Sequence, residues 1–247
     1  MTKSYKPTPD ERLRLKLKPD QFKVSGDQVF FTIQGEGESI GKPAVFLRLH
    51  FCNLHCGWCD TGYTWNKNLK EFWQEGKNWS FQRVLQEVSG YPAKRLVITG
   101  GEPMLQQEKT GEFIKLIPDW EVEIETNGTI APLPLLARKC QFNVSPKLGN
   151  SGNSLRVRYK PEVLKVFNAL PKTTFKFVVQ AERDLEEIGR IESECGLDPS
   201  KIIITPEGST QNDIKNHALS VSEQVKQRGW RLLPRLQIML WGKKRRL

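Results

Sequence analysis

Three cysteines lie close together in the sequence and could hold a metal group. Cys52, Cys56 and Cys59 have the spacing C-x3-C-x2-C. A structural zinc ion takes four protein ligands, and a protein-bound iron–sulfur cluster normally takes four cysteine thiolates. Three thiolates on one short loop therefore leave one coordination position free, where a substrate or cofactor can bind. The other two cysteines, Cys140 and Cys195, stand alone and are expected to be packing residues.

Zinc is one alternative occupant of this loop. His50 and His55 lie beside the cysteines, and either could supply a fourth ligand. No second C-x2-C pair and no H-x3-5-H pair follows downstream. An iron–sulfur cluster is therefore favoured, with zinc kept as the alternative.

Residues suited to chemistry also follow several predicted strands. Residues 95–99, 122–126 and 142–145 are typical of short buried strands. They run into Gly100-Gly-Glu-Pro103, Asn127-Gly128 and Pro146-Lys147. In parallel α/β folds a ligand binds outside the carboxyl ends of the strands. We therefore expect these strand ends to share one site.

Strands and helices alternate through most of the chain, which favours an α/β fold with a parallel sheet, open or closed into a partial barrel. The first predicted strand, from apolar–basic alternation, covers residues 11–18. Further strands are predicted at 28–33, 44–50, 175–179 and 201–205. Helices are predicted within 66–90 and at 108–117, 184–195 and 212–228. We expect one domain over residues 1–247, with an N-terminal extension or strand at 1–27 and a basic tail at 229–247 near the site.

The composition is that of a soluble globular protein with excess positive charge. The 247 residues are 38% hydrophobic and 27% charged, and the formal net charge is +10. Residues 1–18 carry six basic and two acidic side chains, and residues 226–247 carry eight basic and none acidic. Residues 19–225 are therefore almost neutral, which argues against a nucleic-acid-binding domain. No segment resembles a membrane span or a secretion signal, so we expect a cytoplasmic protein that binds neither membranes nor nucleic acid.

Together, the cysteine spacing and Gly100-Gly-Glu-Pro103 resemble the radical S-adenosylmethionine (SAM) superfamily. Within it, the chain is similar to the 7-carboxy-7-deazaguanine synthases, and the likeness runs from about residue 28 to the C-terminus. The matching segments are Thr32-Ile-Gln-Gly-Glu-Gly37, Gly41-Lys-Pro43, Phe46-Leu-Arg-Leu49, Glu125-Thr-Asn-Gly-Thr129, Ser145-Pro-Lys147, Lys176-Phe-Val-Val179, Pro206-Glu-Gly208, Leu233-Pro-Arg-Leu236 and Trp241-Gly242.

This resemblance implies an incomplete TIM-like barrel, a homodimer, and three bound groups. A [4Fe–4S] cluster would be held by the three cysteines, and Mg²⁺ by Thr61. SAM would bind the fourth iron of the cluster. The residues implied to surround SAM are Gly100, Gly101, Glu102, Pro103, Glu125, Asn127, Ser145 and Lys147.

The implied reaction contracts the ring of 6-carboxy-5,6,7,8-tetrahydropterin to 7-carboxy-7-deazaguanine, with loss of ammonia, in queuosine and 7-deazapurine biosynthesis. A flavodoxin or ferredoxin would supply electrons. The implied substrate residues are Gln34, Gly35, Glu36, Gly37, Arg48 and Thr99. A carboxylate at position 36 can accept hydrogen bonds from the amine edge of a pterin, and the fork of Arg48 suits a carboxylate.

Several positions depart from the family pattern. Gln237 stands where many relatives have histidine, Lys243 replaces asparagine, and the chain ends Arg246-Leu247 in place of Gly-Val. These changes put the tail's substrate contacts in doubt. Residues 62–80, rich in Trp and Lys, are a candidate docking surface for the reductant.

Two alternative functions remain. A glycyl-radical activase would share the cysteines and Gly-Gly-Glu-Pro but has no use for the Gln-Gly-Glu-Gly segment with Arg48. A metal-stabilised basic RNA-binding protein would need no SAM.

Overall fold

The computed structural model describes residues 5–6, 8–14, 16 and 18–244, and a nine-stranded sheet runs through it. The strands are β1 (Gln21–Ile33), β2 (Pro43–Leu49), β3 (Lys77–Ser80), β4 (Arg95–Gly100), β5 (Glu121–Thr126), β6 (Gln141–Val144), β7 (Thr173–Val179), β8 (Ile202–Pro206) and β9 (Arg231–Leu232). Their order is β3-β1-β2-β4-β5-β6-β7-β8-β9, with all pairs from β2 to β9 parallel and β1 antiparallel to both its neighbours. The predicted α/β class is confirmed, and the open sheet matches a partial barrel.

Ten α-helices within the described residues connect or flank these strands. They are α1 (Pro9–Arg14), α2 (Lys70–Glu75), α3 (Phe81–Ser89), α4 (Gln107–Ile114), α5 (Pro134–Lys139), α6 (Leu155–Arg158), α7 (Pro161–Asn168), α8 (Glu182–Cys195), α9 (Gln211–Gln227) and α10 (Leu236–Trp241). None of them is long and apolar enough to cross a membrane. The predicted helices near 108–117, 184–195 and 212–228 correspond to α4, α8 and α9.

Successive side chains along the strands alternate between two faces of the sheet. One face is apolar and forms the core with the helices, and the other lines the cavity. On β2, Val45, Leu47 and Leu49 are fully buried in the core shared with the helices, whereas Phe46 and Arg48 face a cavity. Successive strand residues point to opposite faces, so each strand serves both sides. Fully burying an aliphatic or aromatic side chain contributes about 1.5–3 kcal/mol, and this outer face therefore holds the helices to the sheet.

The predicted strand at 11–18 is wrong where the structure describes it, because residues 11–14 belong to α1. Thr8 and Glu11 form a reciprocal cap: the Thr8 hydroxyl accepts the Glu11 N–H at 3.2 Å, and the Glu11 carboxylate accepts the Thr8 N–H at 2.9 Å. With Pro9 at the first helical position, this cap favours a helix over the strand that alternation suggested. Residues 15 and 17 lie outside the described residues.

The helical prediction for residues 66–90 is only partly right. Gly76 ends α2 with an extended backbone, and the edge strand β3 follows before α3. Ser80 starts α3 by accepting the Arg83 N–H with its side chain. β3 pairs with the first residues of β1, so the predicted boundary at residue 27 falls inside a strand of the sheet.

Candidate active site

A cavity of about 800 Å³ lies at the carboxyl ends of the parallel strands. This volume is typical of small-molecule sites. Fifteen of the eighteen predicted site residues line it: Gln34, Gly35, Glu36, Arg48, Cys52, Cys56, Cys59, Thr61, Thr99, Gly100, Gly101, Glu125, Asn127, Ser145 and Lys147. Gly37, Glu102 and Pro103 do not. The fold thus brings together residues from five separate segments (34–36, 48–61, 99–101, 125–127 and 145–147), as expected from the predicted strand ends.

Residues 34–37 form a loop at the floor of the cavity, and sequence analysis did not predict the position of this loop. β1 runs antiparallel to β2, so the connection after Ile33 starts at the amino edge of the parallel sheet. The loop then turns into the interior, where Gln34 reaches β5 and Glu36 reaches β7. Gly37 adopts φ 71°, and a Cβ there would lie 2.3 Å from the side-chain nitrogen of Asn143. Glycine is therefore required here for close packing against Asn143, and the contact between Gly37 and substrate stays a prediction.

The cysteine loop begins at a residue with unusual backbone geometry. Phe51 has φ 79°, the left-handed region that non-glycine residues seldom adopt. Two hydrogen bonds hold it there: its N–H donates to the Thr64 carbonyl at 3.0 Å, and its carbonyl accepts the Glu102 N–H at 2.7 Å. The turn at Phe51 directs Cys52 into the cavity.

Residues 149–153 secure the other end of the cysteine loop. The Gly57 N–H donates to the Ser151 carbonyl at 3.0 Å, and the Asn153 side-chain oxygen accepts the His55 N–H at 2.9 Å. The Asn153 amide nitrogen lies 3.4 Å from Cys56 Sγ. Sequence reasoning missed this segment, although its Gly-Asn-Ser-Gly-Asn composition is typical of a loop that satisfies neighbouring backbone groups.

Gly100 and Gly101 allow the end of β4 to lie against the start of the cysteine loop. A Cβ on Gly100, which has φ 138°, would lie 2.0 Å from the Leu49 carbonyl oxygen. A Cβ on Gly101 would lie 2.1 Å from the Phe51 carbonyl oxygen and 3.0 Å from the Cys52 Cβ. Only glycine fits this approach, so both glycines position the first cysteine and also expose their backbone to the cavity.

Glu102 faces inward and not into the cavity. Its side chain is fully buried and accepts hydrogen bonds from the Met104 N–H (2.9 Å), the Thr126 hydroxyl (2.8 Å) and the Asn127 N–H (2.7 Å). Burial raises the pKa of this carboxyl, and these donors oppose the shift. The carboxylate joins the end of β4 to the end of β5 and orients Asn127, and the contact between Glu102 and the cofactor stays a prediction.

Glu36 lies at the centre of a charged network. Its two oxygens accept from Lys176 Nζ at 2.7 Å, Arg235 Nε at 2.9 Å and the Gln237 amide at 2.5 Å. Burial alone would raise the pKa of Glu36, but the charges of Lys176 and Arg235 hold it well below its usual range. Burial would likewise lower the pKa of Lys176, and Glu125 and Glu36 raise it above its usual value. The network therefore presents an ionised carboxylate to the cavity at neutral pH.

Below Glu36, two carboxylates are bridged by two amides. The Gln34 side-chain nitrogen donates to Glu123 at 2.6 Å and to Glu125 at 3.0 Å, and the Asn143 side-chain nitrogen donates to the same two groups at 2.6 and 2.9 Å. Lys176 binds the outer oxygen of Glu125 at 2.9 Å. These bonds fix Gln34 and thereby the loop that carries Glu36.

Arg48 offers an unused donor to the cavity. Its guanidinium lies 5.6 Å from the ring centre of Phe30, which itself stacks on Phe46. The Nε atom is buried and has no hydrogen-bond partner. A buried unpaired donor costs free energy, so this one is suited to a ligand that accepts from it.

The opposite wall carries Ser145, Lys147 and Thr61. Lys147 Nζ donates to the carbonyl and to the hydroxyl of Ser145, each at 2.8 Å, and burial lowers its pKa. The Thr61 hydroxyl lies 3.5 Å from Cys59 Sγ. Thr99 and Asn127 complete this wall, and the Asn127 amide nitrogen donates to the Asn53 side chain at 2.8 Å.

The C-terminal segment closes the cavity and supplies residues that were not predicted to bind substrate. The Leu236 N–H donates to the Gly35 carbonyl at 2.9 Å, and Arg235 also pairs with Asp60 at 2.7 Å, one residue beyond Cys59. Gln237, Trp241, Lys243 and Lys244 line the cavity. Sequence analysis did not assign Lys176 and Arg235 to the site. Both lie in segments that match the family pattern, and this match could have indicated them.

A family profile described as the radical SAM superfamily matches residues 47–197. The 7-carboxy-7-deazaguanine synthase of Pyrobaculum aerophilum is 32% identical over 222 residues, covering 88% of this chain and 95% of the relative. The chain belongs to the 7-carboxy-7-deazaguanine synthase family of radical SAM enzymes. The synthase of Aquifex aeolicus is 31% identical, covering 86% of this chain and 90% of its own. The crystal structure of QueE from Escherichia coli has a TM-score of 0.66 and 28% identity, covering 87% and 94%.

In this radical SAM enzyme, the cysteine loop fits a cluster better than a zinc ion. Neither His50 nor His55 lines the cavity: His50 packs against Phe51 and Phe72, and His55 stacks on Trp65 with ring centres 4.7 Å apart. Among the described residues, no three His, Cys, Asp or Glu side chains converge around the position of a single ion. A [4Fe–4S] cluster would be held by Cys52, Cys56 and Cys59 and would supply one-electron chemistry beside the cavity. The three-thiolate set with one open position therefore agrees with the family's iron–sulfur cluster and SAM.

Thiol protonation gives metal loading a pH dependence. Burial raises the pKa of the Cys52 thiol to about 12 and also raises that of Cys56. Both are therefore protonated at neutral pH in the metal-free chain, and binding a cluster releases their protons.

Proposed function

We propose that this chain converts 6-carboxy-5,6,7,8-tetrahydropterin to 7-carboxy-7-deazaguanine, with loss of ammonia. The observation that carries this proposal is the composition of one cavity. Three cysteine side chains border the same 800 Å³ space as an ionised carboxylate, Glu36, and an unpaired guanidinium donor on Arg48. The curated relatives carry the name of this activity over nearly their full length.

Glu36 and Arg48 suit the two ends of the substrate. Lys176 and Arg235 keep Glu36 ionised, so that it can accept hydrogen bonds from the amine and N–H edge of the pterin. Arg48 provides donors for the substrate carboxylate. Gln34, Gly35 and Thr99 border the cavity and would flank the ring between them. Because both charged groups belong to well-packed segments, they orient the ring before reaction begins.

The three cysteines would hold the [4Fe–4S] cluster beside this pocket. When bound, the cluster and SAM supply one-electron chemistry that removes hydrogen from the substrate. Backbone groups of Gly100 and Gly101 and the side chains of Asn127, Ser145 and Lys147 border the space for SAM, and Glu125 links it to the substrate side through Lys176. The tail is bonded to the floor loop through the Leu236 N–H and the Gly35 carbonyl, and would thereby restrict the access of water to this space.

Magnesium is a separate part of the proposal and is assigned to Thr61. Its hydroxyl borders the cavity beside Cys59, and Mg²⁺ prefers oxygen ligands completed by water. Replacing the hydroxyl by a methyl group in Thr61→Val should abolish stimulation of turnover by Mg²⁺ while leaving iron content unchanged. Equal Mg²⁺ stimulation in both proteins would remove Thr61 from the magnesium site.

The cellular setting is proposed as well. A cytoplasmic setting accords with five free cysteines, whereas the homodimer and the flavodoxin or ferredoxin that would reduce it follow from the family resemblance.

The decisive experiment is anaerobic reconstitution with iron and sulfide, followed by incubation with dithionite, SAM and the carboxytetrahydropterin. We expect 7-carboxy-7-deazaguanine by mass spectrometry. Cleavage of SAM to 5′-deoxyadenosine without this product would contradict the substrate assignment and leave another radical SAM activity, such as an activase. An intact cluster with no cleavage of SAM would contradict the radical reaction itself.

A further inference from the structure

Arg235 bonds three segments that are distant from one another in the sequence. It directly precedes α10, and its side chain is 16% exposed. Its Nε donates to Glu36 on the floor loop at 2.9 Å. One terminal nitrogen donates to the Gly208 carbonyl at 3.1 Å, and the other pairs with Asp60 at 2.7 Å. Each of the three guanidinium nitrogens is therefore bonded to a different part of the chain.

Asp60 provides the link to the cysteine loop. It directly follows Cys59 in the chain, and its side chain is 66% exposed. Among the residues that the structure describes, Arg235 is the hydrogen-bond partner of its carboxylate. Exposed aspartates contribute little to stability through such ion pairs. The bond to Arg235 therefore determines mainly where the end of the cysteine loop lies.

The backbone on both sides of Arg235 is anchored as well. Pro234 precedes it, and a proline restricts its own φ and the conformation of the residue before it. The Leu236 N–H donates to the Gly35 carbonyl at 2.9 Å, and the Arg235 carbonyl accepts the Ile238 N–H at 3.0 Å. The guanidinium is thus held on a fixed support, and it cannot move far without displacing the floor loop.

Arg235 also completes a line of alternating charges along the cavity. Successive ion pairs of 2.7–2.9 Å join Glu125, Lys176, Glu36, Arg235 and Asp60 in that order. The line runs from β5 to the residue after the third cysteine, and all five of its members border the cavity. A ligand bound at Glu36 is therefore held by the same series of bonds that holds the end of the cysteine loop.

We propose that Arg235 is a positioning residue that fixes the cysteine loop relative to the substrate pocket at Glu36. This inference rests on the proposed function, because it concerns how that substrate is presented to the radical chemistry beside the cysteines. Removal of a hydrogen atom requires close approach, and a misplacement of about 1 Å can cost about 100-fold in rate. Without the bond to Asp60, cleavage of SAM should continue, but less of it should lead to product.

Three variants separate the bonds that Arg235 makes. Asp60→Ala removes only the bond to the cysteine loop. Arg235→Gln removes the charge together with the fork, and Arg235→Lys keeps the charge but offers a single nitrogen. Arg231→Gln is the matched control, because it removes an ion pair between the same tail and Glu38, which follows the floor loop, and does not involve the cysteine loop.

The first measurement is the amount of product formed per 5′-deoxyadenosine, with cluster-loaded full-length protein, dithionite and saturating SAM, Mg²⁺ and carboxytetrahydropterin. We expect this ratio to fall about tenfold in Arg235→Gln and about three- to tenfold in Asp60→Ala and Arg235→Lys. It should keep its wild-type value in Arg231→Gln. The double variant Asp60→Ala with Arg235→Gln should lose no more than Arg235→Gln alone, because both changes break the same bond.

The second measurement needs no cluster. In the metal-free chain, hydrogen exchange followed by mass spectrometry reports on residues 57–64, and calorimetry gives the Kd of the carboxytetrahydropterin. Asp60→Ala should accelerate exchange of this segment about threefold and leave the Kd within about twofold of wild type, because Lys176 and Arg235 still hold Glu36. A wild-type protein that cleaves SAM without forming product would contradict the proposed function, whereas hydrogen exchange would still decide whether Arg235 holds the cysteine loop.

Four results would overturn the proposal. The first is an unchanged ratio of product to 5′-deoxyadenosine in Arg235→Gln and Asp60→Ala. The second is an equal fall of this ratio in Arg231→Gln, which would assign the effect to the charge of the tail. The third is a double variant whose loss equals the product of the two single losses, which would show that the two residues act independently. The fourth is unchanged hydrogen exchange of residues 57–64 in metal-free Asp60→Ala.

Discussion

At the scale of single residues, the cavity depends on charges that are satisfied before any ligand arrives. Glu36 accepts from three side chains, and Lys176 bridges Glu36 to Glu125. Such preorganisation avoids the cost of rearranging charges during binding. Arg48 is the contrasting case, because its buried Nε atom has no hydrogen-bond partner within the protein.

Arg48 should therefore determine substrate affinity. Replacing it by alanine should raise the Kd of the carboxytetrahydropterin about 30-fold, since a hydrogen bond to a charged group contributes about 2 kcal/mol. Reductive cleavage of SAM should continue in the variant. Titration calorimetry measures the first effect and 5′-deoxyadenosine formation the second. The Kd of Arg48→Lys, which keeps the charge but loses the guanidinium fork, should lie between those of wild type and Arg48→Ala. An unchanged Kd in Arg48→Ala would exclude this residue from the pocket.

The Glu36–Lys176 pair gives a pH-dependent prediction. The folded-state pKa of Lys176 is raised and that of Glu36 is lowered. The lysine contributes fully below its unfolded pKa of 10.5 and loses this contribution as pH rises through its folded pKa. The glutamate contributes fully above its unfolded pKa of 4.5 and loses this contribution as pH falls through its folded pKa. Between these limits the contribution of the pair to the free energy of unfolding is constant.

Lys176→Met should remove this contribution. At pH 7 the variant leaves buried carboxylates short of a cation, and we expect the free energy of unfolding to fall by about 3 kcal/mol. Near pH 4.5 the loss should be smaller, because the pKa of Glu36 rises without Lys176 and the carboxyl can take up a proton. Urea unfolding of the metal-free chain at both pH values measures the difference. The exposed Lys172→Met serves as control, and an equal loss at both pH values would contradict the pairing.

At the scale of elements, the cysteine loop is shaped by its neighbours more than by its own sequence. The end of β4 supports it through Gly101 and the Glu102 backbone, and residues 149–153 support it from the other side. The left-handed Phe51 is stable only because both of its backbone groups are bonded. Cluster loading is thus expected to respond to changes outside the loop.

Gly101→Ala tests this support. The new Cβ would overlap the Phe51 carbonyl, and relief of the overlap should cost about 1–3 kcal/mol and displace Cys52. We expect reduced iron content per chain after reconstitution. Gly111→Ala, inside α4, is the control: its Cβ would lie 3.7 Å from Leu135, so the change should be neutral or stabilising by about 0.5–1 kcal/mol. Full iron content in Gly101→Ala would show that the close approach is dispensable.

At the scale of the whole molecule, the open sheet encloses one site because the loop after β1 contacts the tail after β9. The floor loop after β1 and the tail after β9 are bonded through Gly35 and Glu36 to Leu236, Arg235 and Gln237. Opposite ends of the strand order thereby complete one cavity. The basic tail seen in the composition is part of this closure as far as Lys244.

Deleting residues 243–247 should weaken substrate binding. Lys243 and Lys244 border the cavity, and the deletion removes four cations in all, so the KM for the anionic pterin should rise about three- to tenfold, with kcat changed less. Steady-state kinetics with dithionite as reductant measures this. A variant with four exposed cations replaced elsewhere, Lys94→Gln, Arg138→Gln, Lys139→Gln and Lys172→Gln, controls for net charge. An unchanged KM would exclude the tail from binding.

The sequence by itself was sufficient for much of the enzyme's description. Alternating strands and helices, the cysteine spacing and the Gly-Gly-Glu-Pro segment are local features of the sequence. The first predicts an α/β fold and the other two predict a radical SAM enzyme, and both predictions are confirmed. The residues of fifteen predicted site positions reach one cavity because parallel strands place their carboxyl ends at one edge.

Only the tertiary structure decided which of these groups touch. Glu36 and Lys176 are 140 residues apart in the chain, and their contact depends on a loop that enters the interior from the amino edge of the sheet. Glu102 and Gly37 have residue types that suggest contact with a ligand. In the structure, Glu102 bonds to the end of β5 and Gly37 packs against Asn143 on β6. The physical reason is that local patterns set backbone conformation over a few residues, whereas burial and pairing of a charge depend on which distant segments the closed fold brings against it.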